Sequence, residues 1–245
     1  MTQTVQRATE ILEFIAEAPR SLSETARHFQ VHRSTVFRQL QTLEQAGFVM
    51  HHADGTYNIG TRIISIAQQA LDHMDLRRIA HEEIRALQQR VGNTLHLAQL
   101  MEDDSVVYID KVEGTDSVRM YSRIGRPVRP NSTGVGKVIL SLLPPDRRDA
   151  VLRDAQWSAL TANTHTSRES LDAELATIRD QGWGIDNGEF EDFVNCIAAP
   201  IRNSTGSIVG ALSITAIKMV NSLDDLKLHL DDLLATTRGI SQQLG

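Results

Sequence analysis

The chain has 245 residues, of which 41% are hydrophobic and 23% charged, and its 25 basic and 31 acidic residues give a formal net charge of −6. This composition is typical of a soluble globular protein with one large domain or two modest ones. No apolar run approaches the roughly 18 residues that cross a bilayer, the N-terminus does not resemble a signal peptide, and the single Cys196 excludes a disulfide within the chain. We therefore expect a cytoplasmic protein, with an acidic balance that argues mildly against nucleic acid.

Three helices are predicted before residue 47. Apolar residues at helical spacing indicate a first helix over about 3–17. Ser21 and Glu24 fit a capping box, in which each side chain accepts a hydrogen bond from the other residue's backbone, so the second helix begins there. The third helix runs over about 33–46 and ends at Gly47, because glycine is favoured just past a helix end.

The third helix has a buried stripe and an opposite polar face. Val36, Leu40 and Leu43 recur at the spacing of an inward-facing stripe. Arginine and glutamine side chains can pair with guanine and adenine edges, and serine or threonine can bind phosphate or base. This pattern favours a helix-turn-helix that inserts its second helix into the DNA major groove, over an ordinary helical hairpin with a solvated face. The candidate DNA-binding residues here are Arg33, Ser34, Thr35, Phe37, Arg38 and Gln41.

A hairpin is predicted directly after this helix, over residues 48–59. Asp54-Gly55 is typical of a two-residue hairpin turn. A hairpin in this position is a wing, and we expect Tyr57 to contact the sugar-phosphate backbone from it. Three helices and a hairpin predict a winged helix-turn-helix over residues 1–62.

The next segment, residues 63–76, is predicted to be a linker helix. Its apolar face is broader than a free linker needs, which favours a connecting helix that also pairs two chains over a helix packed only on its own domain. From residue 77 to 245 the pattern alternates helix and strand and predicts a second, α+β domain with about six strands. The predicted strands are 94–101, 106–112, 118–124, 183–187, 194–201 and 207–217, and the helices are 76–91, 132–143, a short one from 144, 169–181 and 222–244.

Signals for catalysis are weak. Residues 131–138 superficially resemble a phosphate loop, but the first glycine is missing and valine follows Lys137 in place of Ser or Thr. The nine histidines lack metal-ligand spacing, and no histidine neighbours Cys196. We expect no catalytic residue, metal or cofactor.

Signals for small-molecule binding are better. Residues 132–136 lie at a predicted helix start, where free backbone N–H groups and the helix dipole favour a carboxylate or phosphate, although a glycine-rich turn chosen for close packing is equally compatible. Ser213 and Thr215 alternate with apolar residues in a strand, and their hydroxyls need partners if that strand is central. With Cys196 and Asp186 they could line one small polar pocket, although each alone is compatible with a structural role.

Nearly the whole chain resembles the isocitrate lyase regulator (IclR) family of bacterial transcription regulators. The N-terminal resemblance is the run LSETARHFQVHRSTVFRQLQTLEQAGFV over residues 22–49. Residues 160–164 and the following helix most resemble the branch that senses sugar-acid breakdown products such as 2-keto-3-deoxygluconate. The C-terminal motifs are Ser132–Lys137, Gly182–Asp186, Cys196–Ile201 and Gly210–Ile214.

The resemblance implies a winged helix-turn-helix, a linker helix and a GAF-like effector domain. It implies dimers, or dimers of dimers, that bind palindromic operators in double-stranded DNA and respond to a small organic acid such as a keto acid or sugar acid. We expect a repressor of a catabolic operon; an activator, an architectural DNA binder and a small-molecule enzyme fused to a DNA-binding domain remain alternatives. The effector-binding residues that the motifs imply are Met120, Val128, Gly134, Val135, Asp186, Val194, Cys196, Ser213 and Thr215.

Overall fold

The computed structural model describes residues 3–72, 75–115 and 122–244. They divide into two units, Met1–His73 and Met74–Gly245, and each unit combines helices with an antiparallel sheet. The expected α+β fold is confirmed. In the described ranges, no helix has both the length and the apolar character that a membrane span requires.

The first unit is a winged helix-turn-helix. Its three strands pair in the order β1-β3-β2, and its core contains the fully buried Ile11, Val36 and Leu40. Its elements are α1 (Gln3–Glu17), β1 (Arg20–Ser21), α2 (Leu22–His28), α3 (Arg33–Gln45), β2 (Val49–His51), β3 (Thr56–Ile59) and α4 (Thr61–Asp72).

The predicted capping box is present at the start of α2. The Ser21 backbone N–H donates to the Glu24 carboxylate at 2.8 Å, and the Glu24 N–H donates to Ser21 Oγ at 3.2 Å. Such a cap contributes about 1 kcal/mol to helix stability. Ser21 also pairs with Thr56 in the sheet, so the capping residue connects the start of the helix-turn-helix to the wing.

The wing has a longer turn than the sequence predicted. Gly55 N donates to His52 O at 3.0 Å and His52 N donates to Thr56 O at 2.8 Å, which encloses a three-residue loop in place of the expected two-residue turn. Within this three-residue loop only Gly55 has a positive φ, of 83°. The two-residue type I′ turn needs positive φ at both central residues, so Asp54 and Gly55 instead form the bulged, three-residue type.

The second unit is a three-layer arrangement around a five-stranded antiparallel sheet of order β5-β4-β8-β7-β6. Helices α5, α9 and α10 cover one face, and α6 and α8 cover the other. Strand β8 is therefore central. The hydroxyl groups of Ser213 and Thr215 on this strand thus need hydrogen-bond partners, as expected for a central strand. The elements are α5 (Asp75–Val91), β4 (Thr94–Leu100), β5 (Val106–Val112), α6 (Gly134–Leu142), α7 (Pro145–Val151), α8 (Arg168–Gln181), β6 (Gly184–Asn187), β7 (Val194–Arg202), β8 (Ile208–Ile217), α9 (Leu223–Lys227) and α10 (Leu230–Gln243).

Two predicted elements differ from the structure. Most of the strand expected over 118–124 lies outside the described residues, and 122–124 are not part of a strand. The last helix, expected to be continuous, is broken between α9 and α10. There Leu228 N and His229 N donate to carbonyls three residues back, and such tight bonds end a helix. Apolar periodicity does not encode this break.

Candidate functional sites

Helix α3 presents all six predicted contact residues to solvent. Arg33, Ser34, Thr35, Phe37, Arg38 and Gln41 are exposed, whereas Val36 and Leu40 are fully buried beneath them. His32 caps the helix, because its Nδ1 accepts from the Ser34 backbone N–H at 3.3 Å. A helix anchored by its buried stripe and carrying exposed donors on the other side is suited to a DNA major groove.

The wing residue Tyr57 does not lie on the outer surface. Its side chain is 5% exposed and belongs to the core of the first unit, and its ring stacks on that of His51 with centroids 4.2 Å apart. Alternate residues of a strand face opposite sides, and here the bulky ring takes the inner side. This corrects the sequence prediction: Tyr57 packs the wing and does not reach towards a DNA backbone.

A cavity of about 400 Å³ lies in the second unit between the sheet and the start of α6. Met120, the ninth residue expected there, lies outside the described residues. The other eight predicted effector residues all line the cavity: Val128, Gly134, Val135, Asp186, Val194, Cys196, Ser213 and Thr215. Thr133, from the predicted helix start, also lines it. The sequence did not indicate the remaining lining residues, which are His96, Tyr108, Ser122, Arg126, Pro127, Arg129, Phe190 and Glu191.

One wall of the cavity is the first turn of α6. Thr133 caps this helix by accepting from Gly136 N at 3.3 Å. The amides of Gly134 and Val135 open the helix, where backbone N–H groups have no intrahelical acceptor and the dipole favours an anion. A Cβ on residue 134 would overlap the Cys196 sulphur, so glycine is needed for the close approach of α6 to β7.

Burial disfavours the charged forms of the Asp186 carboxyl group and the Cys196 thiol in the cavity. Asp186 is 5% exposed, and burial together with the nearby Glu189 carboxylate raises its pKa to about 7. Burial, reinforced by Asp186, raises the pKa of the Cys196 thiol well above its ordinary value. The thiol is therefore protonated at neutral pH, unlike the thiolate that a catalytic cysteine requires.

The opposite wall carries hydroxyl groups and an imidazole. Thr215 Oγ1 lies 3.2 Å from Ser213 Oγ and 3.1 Å from His96 Nδ1. His96 Nε2 lies 2.6 Å from Ser122 Oγ. His96 is on β4 directly opposite Ser213, and its place between two leucines in the strand TLHLAQL was the signal that could have revealed it.

A second polar group, which we call the ion cluster, consists of Lys137, Glu174, Glu189 and His165. Lys137 is fully buried, and its Nζ lies 2.6 Å from both Glu174 Oε1 and Glu189 Oε2. Burial opposes its charge, but Glu189 and Glu174 outweigh burial and raise the pKa of Lys137. His165 Nε2 bonds the second oxygen of Glu174.

The ion cluster has two possible chemistries. His165, Glu174 and Glu189 offer three atoms close enough together to hold a metal ion. However, Lys137 already binds both carboxylates, so the geometry favours a closed ion-pair network. Its lysine comes from the segment that superficially resembled a phosphate loop.

A winged helix-turn-helix unit and a unit with an enclosed polar cavity together define a ligand-responsive DNA-binding regulator of transcription. Residues 4–52 match the IclR helix-turn-helix domain, and residues 68–242 match the bacterial transcriptional regulator IclR C-terminal domain. The chain belongs to the IclR family.

Individual relatives support this assignment. The HTH-type transcriptional regulator KdgR of Escherichia coli is 34% identical over 225 residues, covering 91% of this chain and 85% of the relative. The DNA-binding transcriptional repressor YiaJ of Escherichia coli is 31% identical over 257 residues, covering 100% of this chain and 88% of the relative. The crystal structure of the Thermotoga maritima IclR has a TM-score of 0.85 and 33% identity, with all of both chains covered.

Proposed function

We propose that this regulator is a repressor of a catabolic operon and that a small organic acid, such as a keto acid or a sugar acid, is its effector. The observation that carries this proposal is the cavity, which is lined both by the first residues of α6 and by the hydroxyl-bearing Ser213 and Thr215. A carboxylate suits the amides of Gly134 and Val135, because free N–H groups and a helix dipole favour an anion. The name of YiaJ as a repressor supports the sign of regulation.

The remaining walls suit the rest of such a molecule. Ser213 and Thr215 lie where they can bond keto or hydroxyl oxygens, and Asp186 can exchange a hydrogen bond with a hydroxyl group. Val128 and Val194 supply apolar contacts. This combination fits a polyhydroxy or keto acid better than a plain aliphatic acid, in agreement with the resemblance of 160–164 to the sugar-acid branch.

The same proposal includes pairing of two chains and a palindromic operator. Helix α4 exposes Ile64 and Ile66, with 66% and 43% of their surfaces accessible. Exposed aliphatic residues on the helix that follows a DNA-binding unit suit a dimer contact, and dimers read the two halves of a palindrome. We therefore propose that α4 links the two domains and pairs the chains. A bacterial chromosome lies in the cytoplasm, where the proposed regulator would act.

The DNA-binding part is tested with Arg38→Ala. The probe is a DNA duplex selected by the wild-type protein from a random library, and affinity is measured at one fixed salt concentration. Loss of a base contact should cost about 1–3 kcal/mol per half-site, whereas the exposed side chain contributes nothing to the core.

Arg78→Ala is the matched control, because Arg78 is an exposed helical arginine of the second unit. It should bind the duplex like the wild type. Light scattering should give all three proteins the same mass, at least twice the 27.2 kDa of one chain. Wild-type affinity in Arg38→Ala would refute the assignment of α3, and a monomeric wild type would refute the pairing.

The effector part is tested by calorimetric titration of pyruvate, gluconate and 2-keto-3-deoxygluconate. An acid that binds should also change the affinity for the selected duplex, because coupling between two sites is reciprocal. Ser213→Ala should weaken its binding about five- to a hundredfold, since a buried group that loses its partner costs about 1–3 kcal/mol. The exposed Ser207→Ala should not. Equal affinity in both variants, or binding of none of the acids, would contradict the proposed pocket.

Catalysis is the less favoured function for this cavity. The protonated Cys196 thiol does not suit nucleophilic chemistry. Turnover of any acid in the panel would reverse this preference.

A further inference from the structure

The sheet wall of the cavity carries an unbroken chain of hydrogen-bonding groups. Ser122 Oγ, the His96 ring, Thr215 Oγ1 and Ser213 Oγ follow one another at 2.6, 3.1 and 3.2 Å. All four residues line the cavity. A chain of hydroxyl groups and a ring can direct its protons either way, so the group that fixes the direction decides what the wall offers to a ligand.

That group is the His96 ring, because it is neutral. His96 is 4% exposed, and burial, followed by the charge of Lys111, lowers its pKa to about 3. In a neutral imidazole one nitrogen donates and the other accepts. A hydroxyl group can rotate to do both, but this ring must take one of two tautomers.

Charges on either side of the ring favour the same tautomer. Lys111 lies at the Nε2 end, where its Nζ donates to Ser122 O at 3.3 Å. Its partner Glu113 is 2.8 Å away but half exposed, so solvent weakens the offset. A cation attracts the lone pair of an unprotonated nitrogen, which makes Nε2 the acceptor from the Ser122 hydroxyl.

The acidic group of the cavity lies on the other side. Asp186 is opposite Cys196 in the sheet, and Cys196 is opposite Thr215, so Asp186 is on the Nδ1 side of the ring. The fraction of Asp186 that is ionised near its pKa of about 7 attracts a proton on Nδ1. Both influences therefore favour the ring with hydrogen on Nδ1.

We propose that His96 is a specificity-determining residue: its Nδ1–H donates to Thr215, Thr215 then donates to Ser213, and the Ser213 hydroxyl proton is left to be donated to the effector. The wall then selects an oxygen that only accepts, namely a keto or carboxylate oxygen, over a hydroxyl or amino group at the same place. In the opposite tautomer Thr215 would donate to the ring and Ser213 to Thr215, and the wall would offer lone pairs. This inference rests on the proposed effector function of the cavity.

The tautomer can be measured without any effector. The full chain is labelled with 15N-histidine, and long-range proton–nitrogen correlation spectra are recorded near neutral pH. The His96 signals are those missing from His96→Gln, or, if that variant does not fold, those that fail to titrate as the pH falls to about 5. A protonated Nδ1 and a bare Nε2 are expected. The reverse pattern, or a doubly protonated ring, overturns the proposal.

The selectivity is measured with matched acids that differ only at C2, pyruvate against lactate and 2-keto-3-deoxygluconate against 3-deoxygluconate. The wild type should prefer the keto acid of a pair by roughly tenfold, the effect of one mismatched buried hydrogen bond. His96→Gln should lose most of this preference, because an amide can turn to offer either a donor or an acceptor. His81→Gln is the control and should keep it, since His81 lies on α5 and bonds Asp110 outside the cavity.

Failure of the role proposed for His96 can be distinguished from failure of the proposed effector function. An unchanged keto preference in His96→Gln overturns the role of His96 while leaving the effector site intact. Binding of none of the four acids contradicts the proposed function, and the spectra still decide the direction of the chain.

Discussion

The cavity and the ion cluster are both buried polar regions of the second unit, and they differ in how their groups are paired. In the ion cluster, each carboxylate has the Lys137 ammonium as a partner. In the cavity, burial suppresses the charges of Asp186, Cys196 and His96. Closed pairing marks a structural element, whereas polar groups that line a cavity without such pairing leave hydrogen-bonding capacity for a ligand.

A hydrogen bond between a side chain and a backbone amide connects the two regions. Asp186 lines the cavity, and its Oδ1 accepts from the backbone N–H of Glu189 in the ion cluster at 2.7 Å. Lys137 lies one helical turn after the Gly134 amide that faces the cavity. The ion cluster therefore holds two walls of the cavity in place. Its residues position the cavity walls, whereas the lining residues of the cavity are the ones that would bind an effector.

The largest expected effect comes from breaking the ion cluster with Lys137→Met. Removal of the ammonium leaves the buried Glu189 and the half-buried Glu174 without a counter-charge. Breaking a buried ion pair on one side typically costs about 3–5 kcal/mol. Urea unfolding followed by tryptophan fluorescence measures this in the second unit alone, because Trp157 and Trp183 both lie there.

Lys227→Met is the matched control for this measurement. Lys227 bonds Asp224 at 2.9 Å on the surface, and exposed pairs contribute about 0–1 kcal/mol. Combining Lys137→Met with Glu174→Gln and Glu189→Gln should recover part of the loss, since no buried charge is then left alone. A loss of unfolding free energy in Lys137→Met no larger than that in the control would mean that the ion cluster does not stabilise the second unit.

The sequence predicts these two regions unequally. Eight cavity residues were expected from the resemblance to the family, and Ser213 and Thr215 also stand out as hydroxyls in an apolar strand. His96 comes from β4, more than a hundred residues earlier, and joins them only through strand pairing. A polar residue between two leucines in a strand does not reveal its partner across the sheet.

The ion cluster was not predicted at all. Its lysine, glutamates and histidine are spread over residues 137–189 in α6, α8 and two loops, with no common spacing. The elements themselves were easier, since local patterns specify them: α1, β5 and the cap of α2 agree with the prediction. Tyr57 shows that a local pattern does not always specify the role of a side chain. An aromatic residue in a wing suits either the core or DNA, and only packing decides between them.

A smaller effect is expected for the cavity, and it is measured as the pH dependence of the free energy of unfolding. Burial and then the Glu189 carboxylate raise the pKa of Asp186 from 3.8 to about 7, while the Glu189 amide, Lys137 and Lys218 oppose the rise. The folded protein keeps this carboxyl group protonated at pH values where the unfolded chain has ionised it. The resulting stability is fully present below about pH 4 and is lost as the pH rises through about 7.

Asp186→Asn removes this titration and keeps an oxygen that can accept from the Glu189 amide. Between about pH 5.5 and about pH 8.5 the wild-type free energy of unfolding should therefore fall by about 2 kcal/mol more than that of the variant, the linkage value for a folded pKa near 7. The exposed Asp180→Asn should keep the wild-type slope. Tryptophan fluorescence in urea at several pH values again isolates the second unit. Equal slopes in wild type and Asp186→Asn would mean that this carboxylate is ionised throughout, and the cavity would then hold a fixed negative charge opposed to the acid that we propose it binds.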